Sequence, residues 1–489
     1  MNKLKLSQQI SWLKDYKFKL RISEQGKVVS VGDGIVWIKG LPSAAIDEIL
    51  HMEDGSRAMV FHLTEQLVGA ILLKQTEKLT AGEQVYHSGL TLSAPVGDKL
   101  LGRVIDPLGE LLDDGVPIDY DQWSEIDILS PPITARDFVS RPLYTGNKIL
   151  DSMIPIGRGQ RQLIIGDNGL GKSSLVLDMV INQKNTDVIC VYVMIGQERS
   201  NVVNAIQILQ ETNAINNTVV VVAEATTLPG LQYLAPFAGC TIAEYWMKQG
   251  KDVLVVYDDL TTHAHSYREL SLLLKRPPGR EAYPADIFYL HSRLLERSTC
   301  FSHKLGGGSM TAFPIIATKE GEIATYIPTN LISITDGQIY FDAKLFAAGF
   351  FPAIDITKSV SRIGGKAQDL LIKNEAARMK LDYLQFLELE VFTHFGSRLD
   401  ASMQQKIQRG RILRELLKQE LFEPLTIEAQ MGWLLAYNEG YFDNVSLENI
   451  AKYQRSLEKY VLSCELNFSK NREEWCNSIK IWRDIEGLK

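Results

Sequence analysis

The sequence predicts a multidomain chain: a small N-terminal β-barrel, a central α/β domain on a mostly parallel sheet, and a C-terminal α-helical bundle. Three observations predict it. Short strands crowd residues 23–93, near-continuous apolar strands alternate with helical stretches over 94–368, and strands vanish over 369–489. At 489 residues the chain is too long for one core, and length alone predicts about three domains.

Residues 1–22 read as an amphipathic arm, with Ile10, Trp12, Leu13 and Tyr16 interleaved with lysines. We expect it to dock on a partner. In the barrel region, strands at 27–31 and 35–38 flank Gly32-Asp33-Gly34, which has the turn chemistry of a hairpin. Runs at 57–63 and 68–73 continue the pattern, and such repetition predicts a closed barrel. In the central region, residues 188–193, 218–223 and 253–257 are apolar and β-rich. Runs of this kind between helices predict a parallel sheet covered on both faces. Farther on, 379–395 and 404–418 place apolar residues at helical spacing, with Glu and Lys opposite.

Composition narrows the function classes. With 45% hydrophobic and 23% charged residues, the chain matches a soluble globular protein. A formal net charge of -7 gives no global basic field, so nucleic acid is not an expected partner. No uninterrupted apolar run approaches the ~20 residues of a membrane span. The opening residues Met1-Asn2-Lys3-Leu4-Lys5 lead into mixed polar sequence without a signal-peptide apolar region. A membrane role is therefore expected only through partners. Cys190, Cys240, Cys300, Cys464 and Cys476 are odd in number and form no C-x-x-C pair, as for thiols in a reducing compartment. His263 and His265 have a spacing that could bind metal; we read them as solvated or locally bonded.

The chemistry centres on Gly166-Asp167-Asn168-Gly169-Leu170-Gly171-Lys172-Ser173, which fits G-x-x-x-x-G-K-[ST]. A buried strand at 162–165 precedes it, and 174–181 after it reads as the start of a helix. That context makes the central region a P-loop α/β domain. The glycines let backbone amides point at phosphate oxygens, and the helix N-terminus adds partial positive charge. Lys172 is expected to reach the β- and γ-phosphates, and Ser173 to ligate magnesium. The expected ligand is a nucleoside triphosphate.

Val255-Val256-Tyr257-Asp258-Asp259 ends an apolar strand in acids. Asp258 is expected to hold the magnesium or its waters. Asp259 is expected to cap the next helix. Gln197 and Glu198 follow another apolar strand in an extended segment, where alternation allows only one of them to face the site. A glutamine can orient an attacking water; a facing Glu198 could also accept its proton. Arg362, in Ser359-Val360-Ser361-Arg362, has two readings. It could stabilise transition-state charge in a neighbouring subunit, although spacing alone favours a structural or surface arginine. Arg276-Pro277-Pro278-Gly279-Arg280-Glu281 reads as a rigid turn between helices.

Together these stretches resemble the alpha subunit of the rotary F-type ATP synthase, over nearly the whole chain. The resemblance rests on residues 150–161 leading into the P-loop, on 276–284, and on His291-Ser292-Arg293-Leu294-Leu295-Glu296-Arg297. It rests also on 326–330, on 334–339 and on 359–362. It implies the three-part architecture above and ATP or ADP with Mg2+ as ligand. It implies a ring of three alpha and three beta subunits around a gamma stalk, with epsilon and a peripheral stalk. It implies further that Gln197, where catalytic beta subunits have glutamate, marks a non-catalytic site. Arg362 would reach the beta catalytic site, and Gln419 would border the adenine. The complex would couple ATP synthesis or hydrolysis to proton or sodium transport, peripheral on the cytoplasmic face of a bacterial inner membrane.

The chain departs from the usual alpha pattern in several places. Asn168-Gly169-Leu170 replaces Arg-Gln-Thr, and Ser173 replaces threonine but keeps the hydroxyl. Glu198 replaces a basic or neutral residue, Phe351 an arginine, and Leu421 a second glutamine. Residues 261–270 and 361–368, with the Trp12 arm, look more like the alternate N-type bacterial branch. That branch is associated with sodium coupling and lacks the usual delta subunit. Two other classes share the P-loop architecture: a self-sufficient homohexameric ATPase such as a protein-export motor, with Glu198 positioning water, and an RNA-translocating ring helicase. The alpha-like motifs with Gln197 disfavour the first, and the charge with the lack of a basic–aromatic stripe disfavours the second.

Overall fold

The computed structural model describes residues 24–77, 79–120, 122–393, 401–464, 466–468 and 470–488. The arm at 1–22, and Phe395 at the end of one expected helix, lie outside the described residues. The chain divides into two compact units, Met1–Leu92 and Ser93–Lys489.

The first unit is a closed antiparallel barrel. Its strands are β1 (Gln25–Gly32), β2 (Ile35–Lys39), β3 (Glu48–Met52), β4 (Arg57–Leu63), β5 (Val68–Lys74) and β6 (Gln84–Thr91), paired in the order β1-β2-β5-β4-β3-β6. Asp33 and Gly34 form the two-residue β1–β2 turn, with φ of 50° and 76°. Two left-handed residues in sequence make a turn whose twist matches the flanking strands, and aspartate and glycine tolerate it best. Closure pairs every strand on both sides and fills the interior with Val36, Ile38, Leu50, Val60, Ile71 and Val85, all inaccessible to solvent.

The second unit begins with β7 (Ser93–Val96), β8 (Val104–Ile105) and β9 (Gln122–Glu125); β7 and β9 form a separate antiparallel pair. There follow α1 (Lys148–Met153), β10 (Leu163–Asp167), α2 (Lys172–Asn182), β11 (Ile189–Gln197), α3 (Arg199–Glu211), β12 (Thr218–Glu224), α4 (Pro229–Lys248), β13 (Asp252–Asp258) and α5 (Leu260–Leu273). Then come α6 (Ile287–Leu295), β14 (Ser309–Thr318), α7 (Tyr326–Ile334), β15 (Gly337–Tyr340), α8 (Ala343–Ala347) and β16 (Val360–Ser361). The main sheet has the order β16-β15-β10-β14-β13-β11-β12-β8. Its pairs are parallel except β15–β16 at one edge. β13 is buried along its whole length, which explains why its sequence shows no polar alternation.

The rest is helical: α9 (Leu370–Thr393), α10 (Ala401–Leu417), α11 (Ile427–Asn438), α12 (Leu447–Ser463) and α13 (Arg472–Glu486). α9 begins nine residues before the expected 379. Its first residue, Leu370, is 71% exposed, so apolar periodicity does not mark that end. α13 follows local rules closely. Asn471 and Glu474 form a capping box, Gly487 closes the helix at φ 67°, and Trp475, Ile479 and Trp482 make its buried face. Those tryptophans join Trp433, Phe386 and Ile164 in one apolar core that runs from the sheet into the bundle.

Candidate functional site

Three of the sequence-marked positions meet because β10, β11 and β13 are parallel and end on the same side of the sheet. In open α/β sheets, ligand crevices lie outside the carboxyl ends of the strands. Gly166, Asp167, Gln197 and Asp258 all stand there.

The loop after β10 has the geometry of an anion cradle. Gly169 and Gly171 take φ of 79° and 90°, left-handed values that cost a side chain strain. Gly171 is the N-cap of α2 and supplies no capping side chain, so the first-turn N–H groups have no side-chain acceptor there. Asn168 and Gly169 are exposed and Leu170 is buried. Lys172 is buried and donates through Nζ to Gly166 O and Asp167 O, each at 2.7 Å. Burial lowers its pKa, opposed by Asp259, Asp258 and Asp167. The Asp167 carboxylate is held by Thr318 Oγ1 at 2.6 Å and Gly321 N at 2.9 Å, which fixes the loop to the end of β14.

Asp258 is 3% exposed. Burial and the adjacent Asp259 push its carboxyl up to about 6, against hydrogen bonds from Ser173 and Tyr192. Tyr192 Oη donates to Asp258 Oδ2 at 2.9 Å, and Gln197 Nε2 donates to Oδ1 at 3.2 Å. Ser173, Gln197 and Asp258 thus form one cluster. Asp259 caps α5 by accepting Thr262 N–H at 2.7 Å, as expected. Of the Gln197–Glu198 pair, Gln197 faces inward and Glu198 is exposed at the N-cap of α3.

Beyond the loop lies a cavity of about 290 Å³, bounded by Gly169, Gly171 and Ser174 on one side and by Phe346, Phe351 and Gln419 on the other. Phe351 packs edge-on against Phe346 at 5.2 Å. Gln419 is the distant residue that the expected site includes. Its Nε2 donates to Gly146 O and Glu423 O, and its Oε1 accepts Lys148 N–H. Sequence reasoning missed Asp178, which also lines this cavity. Its signal was one acid inside the buried run Leu175, Val176, Leu177, Met179, Val180, Ile181.

Other sequence-marked residues lie elsewhere. Arg362 follows the edge strand β16 and is exposed; its backbone N–H bonds Asp336 O, and Nη2 lies 3.5 Å from Ile332 O. It forms no ion pair among the described residues. Of the two readings, His263 takes the locally bonded one: it is fully buried, with Nε2 3.1 Å from Tyr233 O and Nδ1 3.3 Å from His291 Nε2. His265 is exposed and stacks on Tyr283. Residues 276–281 connect α5 to α6 as expected, with Glu281 at φ 53°. The five cysteines are free. Among the described residues, no helix is long and apolar enough to cross a membrane.

The sequence also resembles known proteins. Residues 146–361 match the ATP synthase alpha/beta family, nucleotide-binding domain; residues 22–89 match that family's beta-barrel domain; and residues 368–478 match the ATP synthase alpha/beta chain, C terminal domain. ATP synthase subunit alpha 1 of Legionella pneumophila (strain Paris) is 66% identical over 478 residues, 98% of each chain. ATP synthase subunit alpha 1 of Hahella chejuensis is 56% identical over 96% of this chain and 95% of its own. ATP synthase subunit alpha of Aquifex aeolicus is 48% identical over 93% and 90%.

Proposed function

We propose a role that proceeds from one premise: this chain belongs to the ATP synthase alpha/beta family, as an alpha subunit of the rotary F-type enzyme. It is a nucleotide-binding component of the ATP synthase complex. Within that complex it holds Mg-ATP or Mg-ADP without turning it over. The amides of residues 166–174 and Lys172 hold the phosphates, and Gln419 borders the base. Ser173 and Asp258 hold Mg2+, which would neutralise phosphate charge. The fit rests on the left-handed glycines, the uncapped start of α2, and a hydroxyl and a carboxyl already beside each other.

Gln197 carries the non-catalytic reading. Its side-chain amide stands beside Asp258, where it orients water but takes no proton, and Glu198 faces solvent. The same exposure of Glu198 disfavours a self-sufficient hexameric ATPase. Arg362 serves a neighbouring beta subunit instead: it is exposed and free of ion pairs among the described residues. Assembly is with three beta subunits and two further alpha copies around gamma, with epsilon and a peripheral stalk. The arm at 1–22 docks on a partner, and the barrel, nucleotide and helical domains divide near residues 93 and 368. The complex sits on the cytoplasmic face of a bacterial inner membrane and moves protons or sodium ions.

The test uses the full-length chain alone. It binds Mg-ATP, and phosphate release stays at the no-protein background. Steady hydrolysis that Lys172→Ala abolishes overturns the non-catalytic reading.

A further inference from the structure

The cavity beyond the P-loop has mostly apolar walls, formed by Leu170, Leu175, Phe341, Phe346, Phe351 and Pro352. Such walls hold a flat ring without distinguishing one heterocycle from another. Discrimination must come from the polar side chains that reach the same space. These are Asn147, Ser174, Asp178, Gln419 and Glu420.

Most of them are already engaged or badly placed. Asn147 caps α1, its Oδ1 accepting from the N–H groups of Ile149 and Leu150. Both amide hydrogens of Gln419 go to backbone carbonyls, and its oxygen receives Lys148 N–H. Glu420 is exposed and pairs with Arg455 at 2.5 Å. Ser174 follows the phosphate loop directly, at the wrong end for a base. Asp178 differs. It is 4% exposed, its Oδ1 accepts Phe422 N–H at 2.6 Å, and Oδ2 takes part in no hydrogen bond among the described residues. It has no ion pair among them either. Burial pushes this carboxyl up to about 7, so a donor arriving in the cavity would relieve a real cost. Asp178 stands one turn past Ser174 on the same face of α2, roughly 6 Å along the axis, and both line the cavity.

We infer that Asp178 reads the base: its free carboxyl oxygen accepts a hydrogen bond from the exocyclic amino group of a 6-aminopurine. Above about pH 7, where Asp178 is ionised, a 6-oxopurine in the same pose sets a carbonyl oxygen against the carboxylate, acceptor against acceptor. This site therefore selects adenine nucleotides through an acid on α2. The inference rests on the reading that residues 166–174 hold the phosphates.

The experiment measures Mg2+-dependent binding to the full-length chain by equilibrium dialysis at about pH 8.5, above the Asp178 pKa of about 7. The ligands are ATP, inosine triphosphate, N6,N6-dimethyl-ATP and inorganic tripolyphosphate. The unaltered chain binds ATP at least about tenfold more tightly than inosine triphosphate or the dimethyl analogue, which has no N–H to offer. Asp178→Asn keeps an oxygen for Phe422 N–H and turns an amide N–H2 into the cavity. Its ATP-to-inosine triphosphate ratio shifts toward inosine triphosphate by at least about tenfold, while tripolyphosphate binds as before. If the unaltered chain binds all three nucleotides within threefold of one another, the base-reading role is overturned and the phosphate site stands. An unchanged ratio in a folded Asp178→Asn chain overturns it equally. If neither nucleotides nor tripolyphosphate bind, the phosphate site itself falls, and Asp178's role falls with it. The dimethyl analogue tests the unaltered chain and needs no variant to fold.

Discussion

Gln197 Nε2 lies 3.2 Å from Oδ1 of Asp258, so an amide, not a second acid, faces the buried carboxyl at the end of β13. Gln197→Glu would put two carboxylates in contact. Like charges raise the pKa of one partner, and Asp258 already stands at about 6. A folded pKa above the unfolded value gives stability that is present at low pH and lost as pH rises. Gln197→Glu is therefore expected to lower the melting temperature by a few degrees at pH 8 in chelator, and by less at pH 5. Calorimetric scans at the two pH values check this; equal losses would contradict it.

Lys172 Nζ sits on the carbonyls of Gly166 and Asp167, at the mouth of the α2 N-terminus. Lys172→Ala removes the one side-chain cation of the loop. A hydrogen bond to a charged group contributes about 1.5–3 kcal/mol, so Mg-ATP affinity is expected to fall ten- to a hundredfold. Titration calorimetry with full-length protein reads this directly, and circular dichroism confirms that the fold is kept.

Arg362 is exposed behind an edge strand and is not among the residues lining the cavity beyond the P-loop. Arg362→Ala is expected to leave this chain's nucleotide affinity unchanged. In the assembled complex, loss of an in-trans arginine costs roughly 10³–10⁵ in rate. Full ATPase activity in a ring reconstituted with Arg362→Ala would end the arginine's proposed role.

Asp151 receives four hydrogen bonds: Thr145 N and Oγ1 at 2.8 Å, Gly146 N at 2.9 Å and Gln430 Nε2 at 2.7 Å. Burial pushes its carboxyl up to about 6, and these donors oppose the shift. Asp151→Asn turns an N–H2 group toward donors and leaves at least one unmet. The expected loss is about 1–3 kcal/mol at pH 7.5. Denaturant unfolding measures it.

Asp178 gives the opposite sign. Its folded pKa is raised from 3.8 to about 7, so its contribution to stability is full below 3.8 and lost as pH rises through 7. Asp178→Asn does not titrate. Relative to the unaltered chain it should gain on the order of 2 kcal/mol between pH 5 and pH 8. A stability difference that stays flat across that range would show that the carboxyl is not desolvated.

Much of the fold was legible because its signals are local. Asp33-Gly34 announces a turn that needs two left-handed residues, and residues 166–173 announce a loop between strand and helix. The α9 start was not legible, because an exposed Leu370 breaks the apolar period there. Nor did simple alternation decide between Gln197 and Glu198. The β11–β12 register shifts between Ile195 and Gln197, and Gly196 turns at φ 62°, so counting alone gives no facing direction.

By itself the sequence determined the three-part architecture, the glycine-rich loop between β10 and α2, and the acid at the end of β13. Each depends on neighbours a few residues apart: period, turn chemistry, capping. Only the tertiary structure decided which groups share a cavity. Asp178 meets Phe422 across 244 residues of chain, and Lys148 meets Gln419 across 271. Such contacts form when the helical bundle and the sheet close on one core. The surroundings of a buried carboxyl, and hence its chemistry, come into being only with that closure.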